Sequence, residues 1–162
     1  MNTVFNADEM FEMAEQMERD GAAFYTAALR RANDSKIREL LNLLRRMEEN
    51  HLKTFSVMRK AFAAKTPQTF DPDGAAAQYL QAFARNRIYD NENLVTRLTG
   101  KESLDAIFAT AVSLEKDSIT FYLGMKELVP ENLGKNEIEN IIKEEMSHIT
   151  YLAAERERLS RG

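Results

Sequence analysis

An internal repeat is the feature of this sequence that most restricts its fold. The chain contains only two histidines, and each stands three residues after a glutamate in a Glu-x-x-His motif. A further glutamate lies upstream of each motif, in a stretch that is also similar between the two copies. All three positions recur at an interval of 97 residues, which gives Glu18, Glu48, His51, Glu115, Glu145 and His148. A fixed interval of this kind indicates a repeated structural unit.

The hydrophobic pattern predicts helices along most of the chain. Apolar residues recur at intervals of three and four, the spacing that places them on one face of an α-helix. Asn6 with Glu9 and Thr99 with Glu102 have the spacing of a capping box, and Pro130 cannot continue the helix before it. The predicted helices cover about residues 7–32, 35–65, 75–87, 101–129 and 132–159.

Two pairs of long helices describe an all-α chain with the topology of a ferritin-like four-helix bundle. A long crossover between helices 2 and 3, residues 66–100, is expected to carry short helices. Glu18 lies 15 residues before the turn at Asn33 and Glu48 lies 15 residues after it, so an antiparallel hairpin places both at one height. The second hairpin repeats this arrangement about Pro130. We therefore expect all four glutamates of the repeat to meet in one layer.

Length and composition limit the remaining possibilities. A chain of 162 residues, 44% hydrophobic and 30% charged, is expected to form one domain, residues 1–162. Its net charge of -4, without a basic block, argues against binding to nucleic acid or to an anionic membrane surface. It has no cysteine, which excludes disulfides and thiolate metal sites. Its N-terminus lacks the pattern of an export signal, so a cytoplasmic protein is expected.

The six repeated residues fall on the apolar faces of their predicted helices, which indicates a metal site. A glutamate and a histidine three residues apart are neighbours on a helix and can bind one ion. Four buried carboxylates repel one another unless a positive charge is present. Two divalent ions balance the four glutamates, and one added oxide keeps the balance if both ions become trivalent. This tolerance of a two-electron change favours iron or manganese, although zinc can bind the same ligand types.

A glutamate on the first and third helices, with Glu-x-x-His on the second and fourth, is a known arrangement of di-iron carboxylate bundles. The stretches around Glu18, Glu48, Glu115 and Glu145 resemble the rubrerythrin-like branch of the ferritin-like superfamily, and the resemblance covers about residues 7–158. It implies that Glu48 and Glu145 bridge two iron ions and that Glu18 and Glu115 bind one ion each. It also implies that the two histidines supply the nitrogen ligands.

The sequence departs from rubrerythrins in two respects. Full-length rubrerythrins carry a rubredoxin domain whose four cysteines deliver electrons to the di-iron site, and this chain has no cysteine. Rubrerythrins also tend to have an additional glutamate where this chain has Ser118, so its ligand set is closer to that of bacterioferritin ferroxidase centres. Peroxidase activity would therefore need an external electron donor. Because members of the family often dimerise, we also expect a homodimer.

Two tyrosines are candidate catalytic residues. Tyr25 and Tyr122 stand seven residues after Glu18 and Glu115, hence on the same helix face and about 10 Å further along the axis. Similarly placed tyrosines in bacterioferritins relay electrons or protons, and the resemblance implies that role here. The alternative interpretation is that both rings only pack against their phenylalanine neighbours.

Other residues near the expected ligands have weaker interpretations. Gly21 and Ser118 lie one helical turn from a ligand, and their small size leaves room either for O2 or peroxide or for close helix approach. Glu15, Glu49 and Glu144 are expected to face solvent or to support a ligand, and Glu144 is the best candidate for support. The methionines are expected to fill the core.

Three functions are compatible with this pattern. The leading hypothesis is a di-iron oxidoreductase that oxidises Fe(II) with O2 or hydrogen peroxide, in iron handling or in protection against oxidative stress. An oxygen-activating di-iron hydroxylase has the same ligand set, but it needs a deep apolar pocket beside the metals for its organic substrate. A non-enzymatic metal-binding protein, which holds its ions without turnover, is the third hypothesis.

Overall fold

The structure, a computed structural model, describes residues 6–65, 74–91 and 98–161, and most of these residues are helical. The helices are α1 (Ala7–Leu29), α2 (Ser35–Ala63), α3 (Ala75–Asn91), α4 (Leu104–Leu128) and α5 (Lys135–Ser160). A short 3-10 helix, Glu131–Leu133, precedes α5. No β-strand occurs within these ranges, so the prediction of an all-α fold is confirmed.

Side chains cap the start of the first hairpin, formed by α1 and α2, and the turn between its two helices. The predicted capping box is present, since Asn6 accepts a hydrogen bond from the Glu9 amide and Glu9 accepts one from the Asn6 amide, both at 3.0 Å. Helix α1 ends at Leu29 rather than near residue 32. The Arg38 guanidinium donates to the carbonyl of Leu29 at 2.8 Å and to that of Ala32 at 3.0 Å, and so satisfies groups that the helix leaves free.

Both helices of the second hairpin begin later than predicted. Glu102 does accept a hydrogen bond from the Thr99 amide at 2.6 Å, but this contact closes a turn before the helix. The N-cap of α4 is instead Ser103, which accepts from the Ala106 amide at 3.1 Å. Helix α5 begins at Lys135 rather than near residue 132, because Gly134 has a φ of 111°, a left-handed conformation that interrupts the helix.

Helix α3 lies in the predicted crossover and packs against α4. The Leu80 side chain is buried, the Phe83 ring lies 5.5 Å from that of Phe121, and the Tyr79 hydroxyl donates to the Thr120 carbonyl at 3.0 Å. The helix extends to Asn91, beyond the predicted end near residue 87. Residues 66–73 and 92–97 of the crossover lie outside the described part of the chain.

The four long helices surround two apolar clusters. Helix α1 contacts α2 and α4, and α5 contacts α4 and α2. One cluster contains Phe11, Phe55 and Phe121, and the other contains Phe24 and Phe108. On each long helix the residues of one cluster precede the repeated glutamate and those of the other cluster follow it. The polar residues of the repeat therefore lie between two apolar clusters.

Met146 does not follow its predicted position on the apolar face of α5. Its side chain is 56% exposed, whereas that of the preceding Glu145 is fully buried. Successive residues of a helix point about 100° apart, so the inward direction taken by Glu145 turns Met146 outward.

None of the helices described has an apolar stretch long enough to cross a membrane.

Candidate metal centre

The structure brings together all six residues of the repeat. Each of the four long helices contributes one glutamate, and α2 and α5 each add a histidine one turn further on. Every one of these side chains is buried, with an exposed fraction of 3% or less: Glu18, Glu48, His51, Glu115, Glu145 and His148. The prediction that the four glutamates share one layer therefore agrees with the structure.

The six side chains form two overlapping groups of possible metal ligands. Within each group, one ligand atom from every residue lies within 4.8 Å of the others. The first group is Glu18, Glu48, His51 and Glu145, and the second is Glu48, Glu115, Glu145 and His148. Glu48 and Glu145 belong to both groups, which is the geometry expected of carboxylates that bridge two ions.

The two imidazole rings present the same nitrogen to the carboxylates. The Nδ1 atom of His51 lies 3.4 Å from Glu18 Oε2 and 3.3 Å from Glu145 Oε1. The Nδ1 atom of His148 lies 3.3 Å from Glu115 Oε2 and 2.8 Å from Glu145 Oε2. The rings are stacked, with centroids 5.9 Å apart and an angle of 15° between their planes.

Several atoms at the centre of this cluster are buried without a hydrogen-bond partner in the described part of the chain. They are Glu18 Oε2, Glu48 Oε1, both carboxylate oxygens of Glu145, and the Nδ1 atoms of His51 and His148. The contacts between the rings and the carboxylates are close enough for ion pairs, but their directions do not suit hydrogen bonds. Leaving such atoms unpaired is costly, and two divalent ions between them would remove that cost. The donor set therefore fits a pair of metal ions.

Tyr25 and Tyr122 fix the orientation of the two outer glutamates, and each does so across the two hairpins. The Tyr25 hydroxyl on α1 donates to Oε1 of Glu115 on α4, and the Tyr122 hydroxyl on α4 donates to Oε1 of Glu18 on α1. These reciprocal contacts require α1 and α4 to be antiparallel. Each hydrogen bond leaves the second oxygen, Oε2, facing the histidine of its group.

Burial makes the full charge of the four carboxylates unfavourable. Burial first, and then the charges of Glu48 and Glu145, raise the pKa of Glu18 well above its ordinary value. Burial and the charge of Glu115 raise the pKa of Glu48. For Glu115 itself, burial and the charge of Glu145 raise the pKa to about 8. The cluster therefore needs positive charge to stay ionised at neutral pH.

The histidines supply part of that charge when no other cation is present. Burial alone lowers the pKa of His51, but its contacts with Glu145 and Glu18 outweigh burial and raise the pKa to about 11. The pKa of His148 is raised to about 12 by the same balance, with Glu115 as the largest opposing contact. Two imidazolium charges do not balance four ionised carboxylates, so full ionisation of the cluster requires further positive charge, which metal cations can supply.

The outward nitrogens of the two rings have different partners. Nε2 of His51 lies 2.7 Å from Glu144 Oε2. Glu144 was predicted to support a ligand because it lies one turn before His148, but the histidine that it contacts is His51 on α2 rather than His148 on its own helix. Nε2 of His148 lies 3.3 Å from the sulfur of Met47, a residue that the sequence placed in the core. The sequence did contain a sign of this contact, because Met47 lies 97 residues before Glu144 and is therefore its equivalent in the repeat.

The surroundings of Glu15 differ from the prediction. Glu15 was expected to face solvent or support a ligand, but it is only 5% exposed and forms ion pairs with Arg19 at 2.8 Å and Arg59 at 3.5 Å. Arg59 comes from α2, so the pairing depends on the hairpin and was not visible in the local pattern. Glu49 instead pairs with Arg45 on its own helix at 2.5 Å.

A cavity of about 10 Å³ lies beside the shared carboxylate Glu48, with Gly21, Tyr25, Glu115 and Ser118 among its lining residues. A Cβ atom at position 21 would lie 2.5 Å from Glu48 Oε2 and 3.1 Å from its Cδ. The Glu48 carboxylate can therefore occupy its position only because Gly21 has no side chain. The atoms nearest that Cβ belong to the Glu48 side chain, so the two sequence interpretations of Gly21, room for O2 or peroxide and close helix approach, stay predictions.

Comparisons with protein-family models, with curated proteins and with solved structures found no match to this chain. The function is therefore argued from the geometry of the Glu and His cluster.

Proposed function

We propose that this chain is a ferritin-like four-helix bundle that binds two iron ions and oxidises Fe(II) with O2 or hydrogen peroxide. The observation that carries the proposal is the pair of buried ligand groups that share Glu48 and Glu145. Glu18 and His51 complete one group, and their equivalents in the second hairpin complete the other. Carboxylates with one imidazole per ion suit iron and manganese better than they suit softer metals.

The residues of the chain have separate roles in this proposal. Glu48 and Glu145 would contribute to the binding of both ions, and Glu18 and Glu115 would each contribute to one. Iron held there would supply the two electrons that, with two protons, reduce hydrogen peroxide to two molecules of water. Repeated turnover as a peroxidase requires an external donor that returns both electrons.

Tyr25 and Tyr122 act as neutral hydrogen-bond donors in this site. Burial first, and then the charge of Glu115, raise the pKa of Tyr25 well above its ordinary value, and burial and Glu18 do the same for Tyr122. Both hydroxyls therefore keep their protons and hold Oε1 of the outer glutamates. The relay of electrons or protons by the two tyrosines stays a prediction.

The small cavity beside Glu48 favours a small oxidant over an organic substrate. Its volume of about 10 Å³ is close to that of a single water-sized probe, so it has no space for a substrate to be hydroxylated. Two larger cavities are lined by other residues, Phe11 and Phe62 in one case and Val57 and Leu133 in the other. This supports the ferroxidase or peroxidase type over the hydroxylase.

The proposal is tested by anaerobic titration with Fe(II), followed by addition of O2 or peroxide. We expect two ions per chain and then a near-UV charge-transfer band of oxidised iron. Glu48→Ala is expected to abolish both, because Glu48 belongs to both ligand groups. Glu49→Ala is the matched control, since it makes the same change at the adjacent position, where the side chain pairs with Arg45 instead.

Circular dichroism of both variants checks that the helices are intact. Failure of the wild-type chain to bind iron, or equal binding by Glu48→Ala and the wild type, would contradict the proposed site. Tight binding of two Fe(II) ions without oxidation above the buffer rate would contradict only the oxidation step and would favour a metal-binding protein without turnover.

A further inference from the structure

The two histidines of the cluster differ in what lies behind them. Both direct Nδ1 toward the carboxylates, so Nε2 is the nitrogen that faces away. Behind His51 this nitrogen meets a carboxylate oxygen of Glu144 at 2.7 Å, and behind His148 it meets the sulfur of Met47 at 3.3 Å. Glu144 and Met47 occupy equivalent positions of the repeat, so the difference is a substitution at one position of a symmetric arrangement.

This substitution changes the strength of the hydrogen bond that supports each ring. A histidine that binds a metal through Nδ1 carries its proton on Nε2 and donates it outward. A carboxylate is a strong acceptor for that proton, whereas a thioether sulfur is a weak one. A stronger acceptor fixes the ring and makes the opposite nitrogen a better ligand, and loss of such a partner typically weakens metal affinity roughly 10- to 100-fold.

We infer that Glu144 makes the ion held by Glu18 and His51 bind more tightly than the ion held by Glu115 and His148. This inference rests on the proposed function, since it requires a site for two ions. The two ions then bind in order. The position formed by Glu18 and His51, which Glu144 supports, is filled first. One ion stays in place while the other exchanges, which suits a protein that treats Fe(II) as a substrate.

Calorimetric titration of the metal-free chain with Fe(II) under anaerobic conditions tests the order directly. The wild-type chain is expected to bind two ions in two resolved steps. Glu144→Met places a sulfur behind both rings, so the first step should weaken roughly 10- to 100-fold toward the second. Met47→Glu places a carboxylate behind both rings, so the second step should tighten toward the first. Glu144→Gln, which keeps an acceptor without the charge, should lie between Glu144→Met and the wild type.

Three further variants identify the positions. The double exchange of Met47→Glu with Glu144→Met should restore two unequal steps, now with the stronger partner behind His148. In the wild-type background, His51→Ala should remove the tighter step and His148→Ala the weaker one. Glu137→Met, the same change at an exposed position about two turns earlier on α5, is the control and should leave both steps unchanged.

A gain of affinity in Met47→Glu cannot come from partial unfolding, so that variant keeps the test valid even if another fails to fold. Two equal steps in the wild type, or two steps that Glu144→Met leaves unchanged, would overturn the inference while the dinuclear site stands. Absence of iron binding in the wild type would overturn the proposed function itself.

Discussion

The α1–α2 hairpin and the α4–α5 hairpin contribute the same ligands but differ immediately around them. In both hairpins an aspartate near the start of the first helix pairs with an arginine on the second, through Asp8 with Arg59 at 2.6 Å and Asp105 with Arg156 at 2.8 Å. Each first helix also presents a tyrosine to a glutamate of the other hairpin. The two hairpins therefore share their candidate ligands, the tyrosines that donate to the outer glutamates, and the aspartate–arginine pair that joins the helices of each hairpin.

The two hairpins differ at residues that lie next to the candidate ligands rather than at the candidate ligands themselves. Three of the equivalent positions that differ are Glu15 and Val112, Gly21 and Ser118, and Met47 and Glu144. None of them alters the set of ligand atoms, but each alters what surrounds a ligand or the helix that carries it. The comparison teaches that two equivalent groups of candidate ligands can have unequal surroundings.

The largest effect within this comparison is expected from removal of the tyrosine hydroxyls. Tyr25→Phe leaves Oε1 of Glu115 buried without its donor, and Tyr122→Phe does the same to Glu18. Each change should lower the free energy of unfolding of the metal-free chain by about 1–3 kcal/mol, because an unsatisfied buried acceptor costs that amount. Urea denaturation measures both values, which should be similar if the two halves are equivalent at this contact.

Tyr151→Phe, at a position that is 45% exposed, serves as the control for these variants. If only one of the two variants, Tyr25→Phe or Tyr122→Phe, lost stability, the two hairpins would be unequal already at their outer glutamates.

A smaller effect is expected from Gly21→Ala, and none from Ser118→Ala. The new methyl group at position 21 crowds the Glu48 carboxylate, while helix propensity gains about 0.5–1 kcal/mol, so stability should change little. Metal affinity should fall about tenfold, equal to about 1.4 kcal/mol, because Glu48 must move from the place that it shares between both ligand groups. Calorimetry with Fe(II) measures the affinity, and thermal unfolding measures the stability.

Ser118 already carries a Cβ atom, so its change to alanine adds no crowding. An undiminished affinity in Gly21→Ala would mean that the Glu48 carboxylate can move without loss, and that the glycine serves helix approach alone.

The smallest effect is expected at the two surface pairs. Hydrogen bonds from Arg59 lower the pKa of Asp8, and those from Arg156 lower the pKa of Asp105. The stabilisation from each pair is therefore present above the ordinary value of 3.8 and is lost as the pH falls through the lower value of the folded state. Asp8→Asn and Asp105→Asn should each be slightly less stable than the wild type at pH 7 and indistinguishable from it in strong acid.

Asp105→Asn should have the greater effect of the two. Arg59 keeps contacts with Glu15 at 3.5 Å and Glu12 at 3.6 Å after Asp8 is changed, whereas Asp105 is the one acidic partner that the described residues place beside Arg156. Denaturation at several pH values measures both differences, and a difference that persisted in strong acid would assign the effect to something other than the ion pair.

Much of the candidate site could be predicted from local sequence. The helical spacing of Glu48 and His51, and the equal distances of the glutamates from their turns, depend only on helix geometry, which the chain carries everywhere. The start of α4 and the burial of Glu15 could not be read in this way. The start of α4 depends on a competition between two candidate N-caps, Thr99 and Ser103. The burial of Glu15 depends on an arginine of another helix.

The sequence by itself determined which six residues meet and at what height along their helices, because an interval of 97 residues repeats both the ligands and the turns between them. The tertiary structure alone decided which hairpin each supporting group reaches. Tyr25 lies on the helix of Glu18 but holds Glu115, and Glu144 lies on the helix of His148 but supports His51. Helix periodicity fixes contacts within a helix, whereas contacts between hairpins follow from how their faces pack. The sequence difference between the two copies makes the halves unequal, and the packing decides which histidine each substituted residue contacts.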